Sequence, residues 1–222
     1  LGGKRLRPVT TLLSTQLFSG DIKKAIPAAK AIEVFHNFTL IHDDIMDKAP
    51  LRRGKETVHK KWNNNIAILS GDTLLIEVYN HFLEGEYENL SLILKVFNQT
   101  AIQVCEGQQL DMNFETRQDV TIDEYINMIR LKTSVLVGGA FKIGALVANA
   151  NEHEADLIYE FGVNLGIAFQ LQDDYLDCFG DPEKFGKQVG GDIISNKKTF
   201  MMLKALEIDS SGELQGRVSE KV

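Results

Sequence analysis

The chain has 222 residues, which is enough for one sizeable domain with a buried core. Hydrophobic residues make up 44% of it and charged residues 25%, and the net charge of −7 argues against a nucleic-acid-binding surface. No uncharged apolar run approaches the ~20 residues that a membrane-spanning helix needs. Because 2 cysteines are too few for a disulfide framework, we expect a cytoplasmic protein. The charge and the missing apolar run predict that it neither binds nucleic acid nor inserts stably into a membrane.

Apolar residues recur at helical spacing along the first half of the chain. Gly20 and Asp21 give the stop and cap signals between two of the helical segments. A loop at 49–55 is marked by a proline and a glycine, and no segment has a strand pattern. The helical segments predicted here lie at 9–18, 23–47, 66–83 and 90–114.

In the second half, Thr121 and Glu124 have the spacing of a capping box. A long helix to Asn149 is expected next, and Gly138-Gly139 indicates either a bend or close helix packing. Further helices are predicted at 152–179 and 198–206, with a glycine-rich loop at 180–196.

The predicted fold is all-α: a single domain over 1–222, built as a bundle of long, mostly antiparallel helices around a central deep pocket. The domain looks incomplete at both ends. Its helical pattern starts abruptly, and 209–222 lacks clear periodicity.

The motif D-D-x-x-D occurs twice, at Asp43-Asp44-Ile45-Met46-Asp47 and at Asp173-Asp174-Tyr175-Leu176-Asp177. Residues four apart share a helix face, so the first and third aspartates of each cluster point together. Such like charges repel and lose water on burial, a penalty that multivalent cations holding a polyphosphate between two facing clusters would remove.

One such cluster alone is more often a solvated helix surface than a metal site. The second copy and the apolar residues before each cluster argue against that reading here. Oxygen ligands favour Mg²⁺, whereas no Cys or His set has the spacing of a zinc site.

Basic residues lie beside the predicted ends of both acidic helices. Arginine suits bidentate phosphate contacts, and lysine supplies a movable point charge. Each is more often a solvated surface residue when taken alone, but their placement indicates a site for more than one phosphate-bearing ligand. They are Lys4, Arg5, Arg7, Arg52, Arg53, Lys187, Lys197 and Lys198.

These motifs, in this order, resemble the trans (E)-isoprenyl diphosphate synthases of the polyprenyl synthetase family. The resemblance covers most of the chain, but the family's first helix and its C-terminal helices have no counterpart here. The motifs that carry it are Gly3-Lys4-Arg5-Leu6-Arg7-Pro8, HNFTLIHDDIMD at 36–47, Arg52-Arg53-Gly54, Gly71-Asp72, Gly107-Gln108, Lys132-Thr133, QLQDDYLD at 170–177, Gly186-Lys187 and Asn196-Lys197-Lys198.

The resemblance implies that isopentenyl diphosphate condenses head-to-tail with an allylic diphosphate (dimethylallyl, geranyl or farnesyl), assisted by magnesium. Three Mg²⁺ ions are expected to bridge the diphosphate and the two clusters. Family knowledge makes Asp43, Asp47 and Asp173 the metal ligands, with Asp44 and Asp177 in support.

The same resemblance assigns the other site residues. The allylic diphosphate would be held by Arg52, Lys132, Lys187 and Lys197, and isopentenyl diphosphate by Lys4, Arg7, His36 and Arg53. Oxygens of Thr133 and Gln170 would face the allylic cation, completing a catalytic set with Lys132, Asp43 and Asp173. Two plainer readings stay open: His36 as a core histidine, and Thr133 as a hydroxyl bonded to its own helix backbone. His42 has no assigned role and is expected to be structural.

Product length is implied by the side chains below the first cluster. Phe38 is bulky, Thr39 is small, and together they resemble the pocket floor of enzymes that make C15 or C20 products, with C20 slightly favoured. The family also implies a homodimer that pairs helices such as 77–83, and a lid at 186–196 that closes over the diphosphate.

Three alternatives compete with this prediction. A class I terpene cyclase would not need the second full cluster or the Lys4, Arg7 and His36 set. A catalytically silent partner subunit would not need the intact aspartates. A histidine-aspartate metal phosphohydrolase, suggested by His42-Asp43, lacks the further histidine ligands expected.

Overall fold

The computed structural model describes residues 3–180, 190–194, 197–214 and 216. The helices of its first half are α1 (Leu6–Leu17), α2 (Ile22–Met46), α3 (Val58–Lys61), α4 (Asn64–Leu83) and α5 (Leu90–Thr116). Those of its second half are α6 (Ile122–Ile129), α7 (Val135–Val147), α8 (Glu152–Phe179), α9 (Gly191–Ile194) and α10 (Phe200–Ile208), and a π-helical turn (Arg130–Ser134) joins α6 to α7. The all-α prediction is confirmed.

Side-chain caps fix where several helices begin, as the sequence predicts. The Asp21 carboxylate accepts a hydrogen bond of 2.9 Å from the Lys23 N–H at the start of α2. The capping box before α6 is complete: the Thr121 hydroxyl accepts from the Glu124 N–H, and the Glu124 carboxylate accepts from the Thr121 N–H. These caps satisfy backbone donors that have no partner inside the helix.

The described residues form two compact units. One comprises the chain through Phe97 together with Gly139–Tyr159. Its core contains an aromatic group in which the Phe97 ring lies 5.1 Å from Phe35 and 5.1 Å from Phe82. The Ser14 hydroxyl of α1 donates a 2.6 Å hydrogen bond to the Phe141 carbonyl of α7, which fastens these two helices.

The other unit comprises Asn98–Gly138 and the described residues from Glu160 onward. Its core is a hydrophobic cluster that ties α5, α6 and α10 together. The buried members are Phe114, Val120, Tyr125, Met128, Ile129 and Leu203. The predicted single domain and its central deep pocket stay predictions.

The structure corrects four details of the predicted elements. The expected loop at 49–55 contains an antiparallel hairpin of β1 (Leu51–Arg52) and β2 (Lys55–Glu56). Its turn residues Arg53 and Gly54 both have positive φ, 55° and 73°, which suits a tight two-residue hairpin turn. The other three are the unpredicted short helix α3, the short helix α9 inside the expected loop at 180–196, and the π-helical turn that interrupts the expected long helix to Asn149. Gly138-Gly139 lies inside regular α7.

Among the described helices, none combines the length and the apolarity that crossing a membrane requires.

Candidate active site

The first aspartate cluster lies at the C-terminal end of α2, and its members differ in exposure. Asp43 is half-buried and Asp47 is exposed, whereas Asp44 is only 4% exposed. Nε and Nη2 of Arg52 both lie 2.7 Å from Asp44 Oδ1. Burial raises the pKa of Asp44, and the Arg52 guanidinium opposes that rise. The middle aspartate therefore binds the hairpin to α2, and the outer two retain access to solvent.

The hairpin places two consecutive arginines against different partners. Arg52 lies on β1 and reaches Asp44. Arg53 follows in the turn, and its guanidinium lies so near Gly3 that a Cβ atom at Gly3 would be 2.7 Å from Arg53 Cζ. The backbone beside Lys4 therefore packs directly against Arg53.

Arg7 and His36 form the next contact of this unit. Arg7 Nη1 donates to His36 Nε2 over 3.3 Å, and since arginine has no acceptor, this histidine nitrogen carries no proton. Arg5 pairs with Glu33 on α2. Arg7 Nε is buried without a hydrogen-bond partner among the described residues, and burial lowers the pKa of Arg7 to about 10. Arg7 therefore keeps its charge at neutral pH and retains a buried donor for an anion.

The positive charges of four arginines act on His36. We call these arginines the cation cluster: Arg5, Arg7, Arg52 and Arg53. Burial, and then the charges of these arginines, lower the pKa of His36 to about 3. His36 is therefore neutral at physiological pH. An apolar core histidine is a poor description of a ring set among four guanidinium groups.

The predicted chain-length residues lie on α2 beside His36. Phe38 is buried, with its ring centroid 5.6 Å from Phe35 and 4.8 Å from His42. The Thr39 hydroxyl donates a 2.9 Å hydrogen bond to the His36 carbonyl. The His42 ring fills the space where a side chain at Gly71 would lie, which explains the glycine at that position.

In the other unit, Lys132 and Thr133 lie in the π-helical turn. Such turns are rare and occur often at functional sites. The Lys132 ammonium forms an ion pair with Asp111 of α5. α5 approaches this turn closely because Gly107 has no side chain, and a Cβ atom there would lie 2.6 Å from Lys132 Cα.

The second aspartate cluster lies near the C-terminal end of α8. Asp173 and Asp177 are half-buried, and Asp174 is 3% exposed. Asp174 accepts hydrogen bonds from the Tyr125 hydroxyl, from Gln170 Nε2 (3.2 Å) and from the Phe200 N–H (3.2 Å). Asp177 Oδ2 accepts from the Asp192 N–H over 3.0 Å at the start of α9.

Gln170 links this cluster to the π-helical turn, because the Thr133 hydroxyl donates to Gln170 Oε1 over 3.4 Å. The two predicted cation-stabilising residues thus lie side by side. Lys197 is exposed, and its ammonium lies 4.0 Å from Asp192. Lys187 and the greater part of the predicted lid at 186–196 lie outside the described residues.

The donor set fits a hard divalent cation bound together with a ligand. Within the described ranges, no three His, Cys, Asp or Glu side chains converge into a ready-made metal site. Asp43 and Asp47 in one unit, and Asp173 in the other, each present carboxylate oxygens that are not fully buried. This suits Mg²⁺, which usually keeps waters and shares phosphate oxygens instead of occupying an all-protein cage.

Three residues of the site were missed by the sequence reasoning. Asp111 lies one helical turn after Gly107, so the Gly107-Gln108 motif gives a signal for it in retrospect. Tyr125 has no motif of its own, and only its contact with Asp174 reveals it. Asp174 belongs to the cluster but carries no predicted role.

The chain is similar to several known proteins over most of its length. The chain is 44% identical over 208 residues to a geranylgeranyl diphosphate synthase of Methanosarcina mazei, covering 93% of this chain and 64% of that protein's length. A crystal structure of a geranylgeranyl pyrophosphate synthase superposes with a TM-score of 0.94 at 58% identity, covering 98% of this chain and 67% of the other. That of the Pyrococcus horikoshii geranylgeranyl pyrophosphate synthetase gives 0.93 at 40% identity, with coverage of 98% and 67%. The polyprenyl synthetase family pattern matches residues 1–221, and the chain belongs to that family.

Proposed function

We propose that this protein is a magnesium-dependent trans-prenyltransferase that condenses isopentenyl diphosphate with an allylic diphosphate and releases diphosphate. The observation that carries the proposal is the contact of Arg52 with Asp44. It joins a carboxylate cluster suited to metal ions to the cation cluster, in which Arg7 and Arg53 suit phosphate binding without metal. One group would bind a diphosphate through metal ions and the other would bind one directly. Two such groups in the same unit favour two diphosphate substrates over one.

The difficult step breaks the carbon–oxygen bond of the allylic diphosphate, and the bonding electron pair leaves with diphosphate. Asp43, Asp47 and Asp173, with Asp44 and Asp177 in support, would hold Mg²⁺, which would supply Lewis-acid stabilisation of the developing negative charge. Arg52, Lys132, Lys187 and Lys197 would stabilise the same charge through their own positive charges. Thr133 and Gln170 direct oxygen atoms at the allylic cation, a role that their mutual hydrogen bond supports.

Isopentenyl diphosphate is held by Lys4, Arg7, His36 and Arg53 in this proposal. Its double bond attacks the allylic cation, a carbon–carbon bond forms, and a proton then leaves to the departing diphosphate. A pKa of about 3 makes His36 a very weak base, which supports its assignment to binding instead of proton removal. Its Nε2 accepts from Arg7, so its Nδ1–H is available as a donor.

The proposed products are all-trans C15 to C20 diphosphates. Phe38 supports this because its buried ring, packed against Phe35 and His42, is an obstruction five residues before Asp43, more than one helical turn away along α2. Thr39 leaves more space at the neighbouring position. A cytoplasmic location stays a prediction.

A homodimer is also part of the proposal. Leu69, Ile76 and Leu83 of α4 are 65%, 62% and 65% exposed. They are spaced by seven residues, so they lie along one helix face, and a second copy of this helix is a fitting partner for such a stripe.

The test combines purified protein, Mg²⁺, labelled isopentenyl diphosphate and a choice of dimethylallyl, geranyl or farnesyl diphosphate. We expect label in linear C15 or C20 diphosphates and none when the metal is chelated. Cyclised hydrocarbon from the allylic substrate alone would select the terpene cyclase instead. Absence of incorporation with every primer would reject the proposal and favour a silent subunit.

A further inference from the structure

Asp174 accepts hydrogen bonds from three different residues, although it is not among the predicted metal ligands. Donors from α6, α8 and the first residue of α10 converge on its two oxygens. We propose that Asp174 and Tyr125 are positioning residues that fix the orientation of the Gln170 side-chain amide for the cation-stabilising step. This inference rests on the proposed prenyltransferase function.

The orientation of the Gln170 side-chain amide follows from whether each of its partners donates or accepts a hydrogen bond. Gln170 Nε2 donates to Asp174 Oδ1 over 3.2 Å, so the Gln170 group that faces this carboxyl oxygen is the NH₂ donor. The amide carbonyl oxygen must then face the other way, where the Thr133 hydroxyl donates to it. Flipping the amide would set its carbonyl oxygen against the carboxylate. Asp174 therefore determines that Gln170 turns its carbonyl oxygen, and not its NH₂ group, towards Thr133.

Two donors hold Asp174 in this orientation. The Tyr125 hydroxyl and the Phe200 N–H both donate to Oδ2, which leaves Oδ1 for Gln170. Burial and the neighbouring carboxylate raise the pKa of Tyr125, so its phenol stays protonated and remains a donor.

A purely structural reading assigns Tyr125 to the hydrophobic core, where its ring packs with Phe114 and Leu203. Tyr125→Phe separates the two readings, because the ring stays and only the hydroxyl donor to Asp174 is lost. Within the described part of the chain, Tyr125 and Gln170 form no hydrogen bond with each other and both bond to Asp174, so we expect any coupling between them in catalysis to pass through Asp174.

The kinetic test measures kcat and KM for Tyr125→Phe, Gln170→Leu and the double variant. Tyr125→Phe should lower kcat roughly 10- to 100-fold while the KM for isopentenyl diphosphate is unchanged, because a misdirected amide affects the cation and not the binding of the second substrate. In the Gln170→Leu background the same change should have no further effect on kcat. If the kcat losses of the two single variants multiply in the double variant, or if Tyr125→Phe leaves kcat unchanged, the inference is overturned.

Tyr87→Phe is the matched control, since it removes the hydroxyl of a half-buried tyrosine that accepts from the Ala28 N–H over 2.9 Å. It should lower thermal stability and leave kcat unchanged. A second readout does not depend on activity: the Gln170 side-chain amide protons, identified by their loss in Gln170→Leu, should exchange slowly with solvent and faster in Tyr125→Phe. Equal exchange in both proteins rejects the inference. An inactive wild-type protein rejects the proposed function instead, and the exchange comparison still decides the inference.

Discussion

Gly107→Ala tests the close approach of α5 to the π-helical turn. The new Cβ atom would lie 2.6 Å from Lys132 Cα and 2.7 Å from the Leu131 carbonyl carbon, where ordinary contacts are at least 3.4 Å. Both neighbours are backbone atoms, so no side chain can turn aside. The helix and the turn have to separate by roughly 1 Å, and Lys132 and Thr133 move with the turn.

The expected effect on stability is small and the effect on catalysis is large. Alanine favours a helix over glycine by about 1 kcal/mol, and overpacking of this kind costs typically 1–3 kcal/mol, so the net loss in free energy of unfolding is about 0–2 kcal/mol. A displacement of about 1 Å in catalytic groups can lower kcat about 100-fold.

Urea unfolding and steady-state turnover of labelled isopentenyl diphosphate measure the two effects. Gly144→Ala is the matched control, because a Cβ atom there lies 2.9 Å from Ser14 Cβ and 3.0 Å from the Thr11 carbonyl carbon, away from the π-helical turn. It should lose stability similarly and keep its kcat. A Gly107→Ala protein with wild-type kcat, or two variants with equal kcat losses, refutes the reasoning.

Three further predictions follow from the other unit. The pKa of His36 is lowered from 6.5 to about 3, so the unfolded state binds more protons than the folded state between these pH values. The free energy of unfolding should therefore rise with pH through this window and level off above it. His36→Gln should flatten this rise in urea titrations from pH 4.5 to 7.5. Phe38→Ala should lengthen the product in chromatography of the prenyl diphosphates, and an unshifted product pool means that Phe38 is not the pocket floor. Ile76→Glu places a charge on the exposed stripe of α4 and should convert a dimer to monomers in sedimentation experiments; a dimer that persists places the interface elsewhere.

Helix positions were predictable because local signals determine them. The Asp21 cap and the Thr121–Glu124 capping box fix helix starts within a few residues of the chain, and the structure contains both. The hairpin was missed because Arg53-Gly54 is not the usual Asn-Gly or Asp-Gly turn, and each strand has only two residues.

The π-helical turn has no local signature. It lies where Gly107 of a different helix admits the backbone of Lys132, a tertiary contact that periodicity within one segment does not reveal. The same limit applies to the aspartates. Spacing identifies both clusters, but only the folded chain shows that Asp44 and Asp174 are nearly buried and bound to Arg52 and Tyr125.

We propose that both aspartate clusters serve the same chemical step, the release of diphosphate from the allylic substrate. The most direct measurement is kcat at saturating Mg²⁺ for Asp43→Asn, Asp173→Asn and the double variant. If both clusters act in the same step, each single change should lower kcat about 100- to 1,000-fold, and the kcat of the double variant should be only a little lower than that of either single variant. A single variant with wild-type turnover, or losses that multiply fully in the double variant, would contradict the claim.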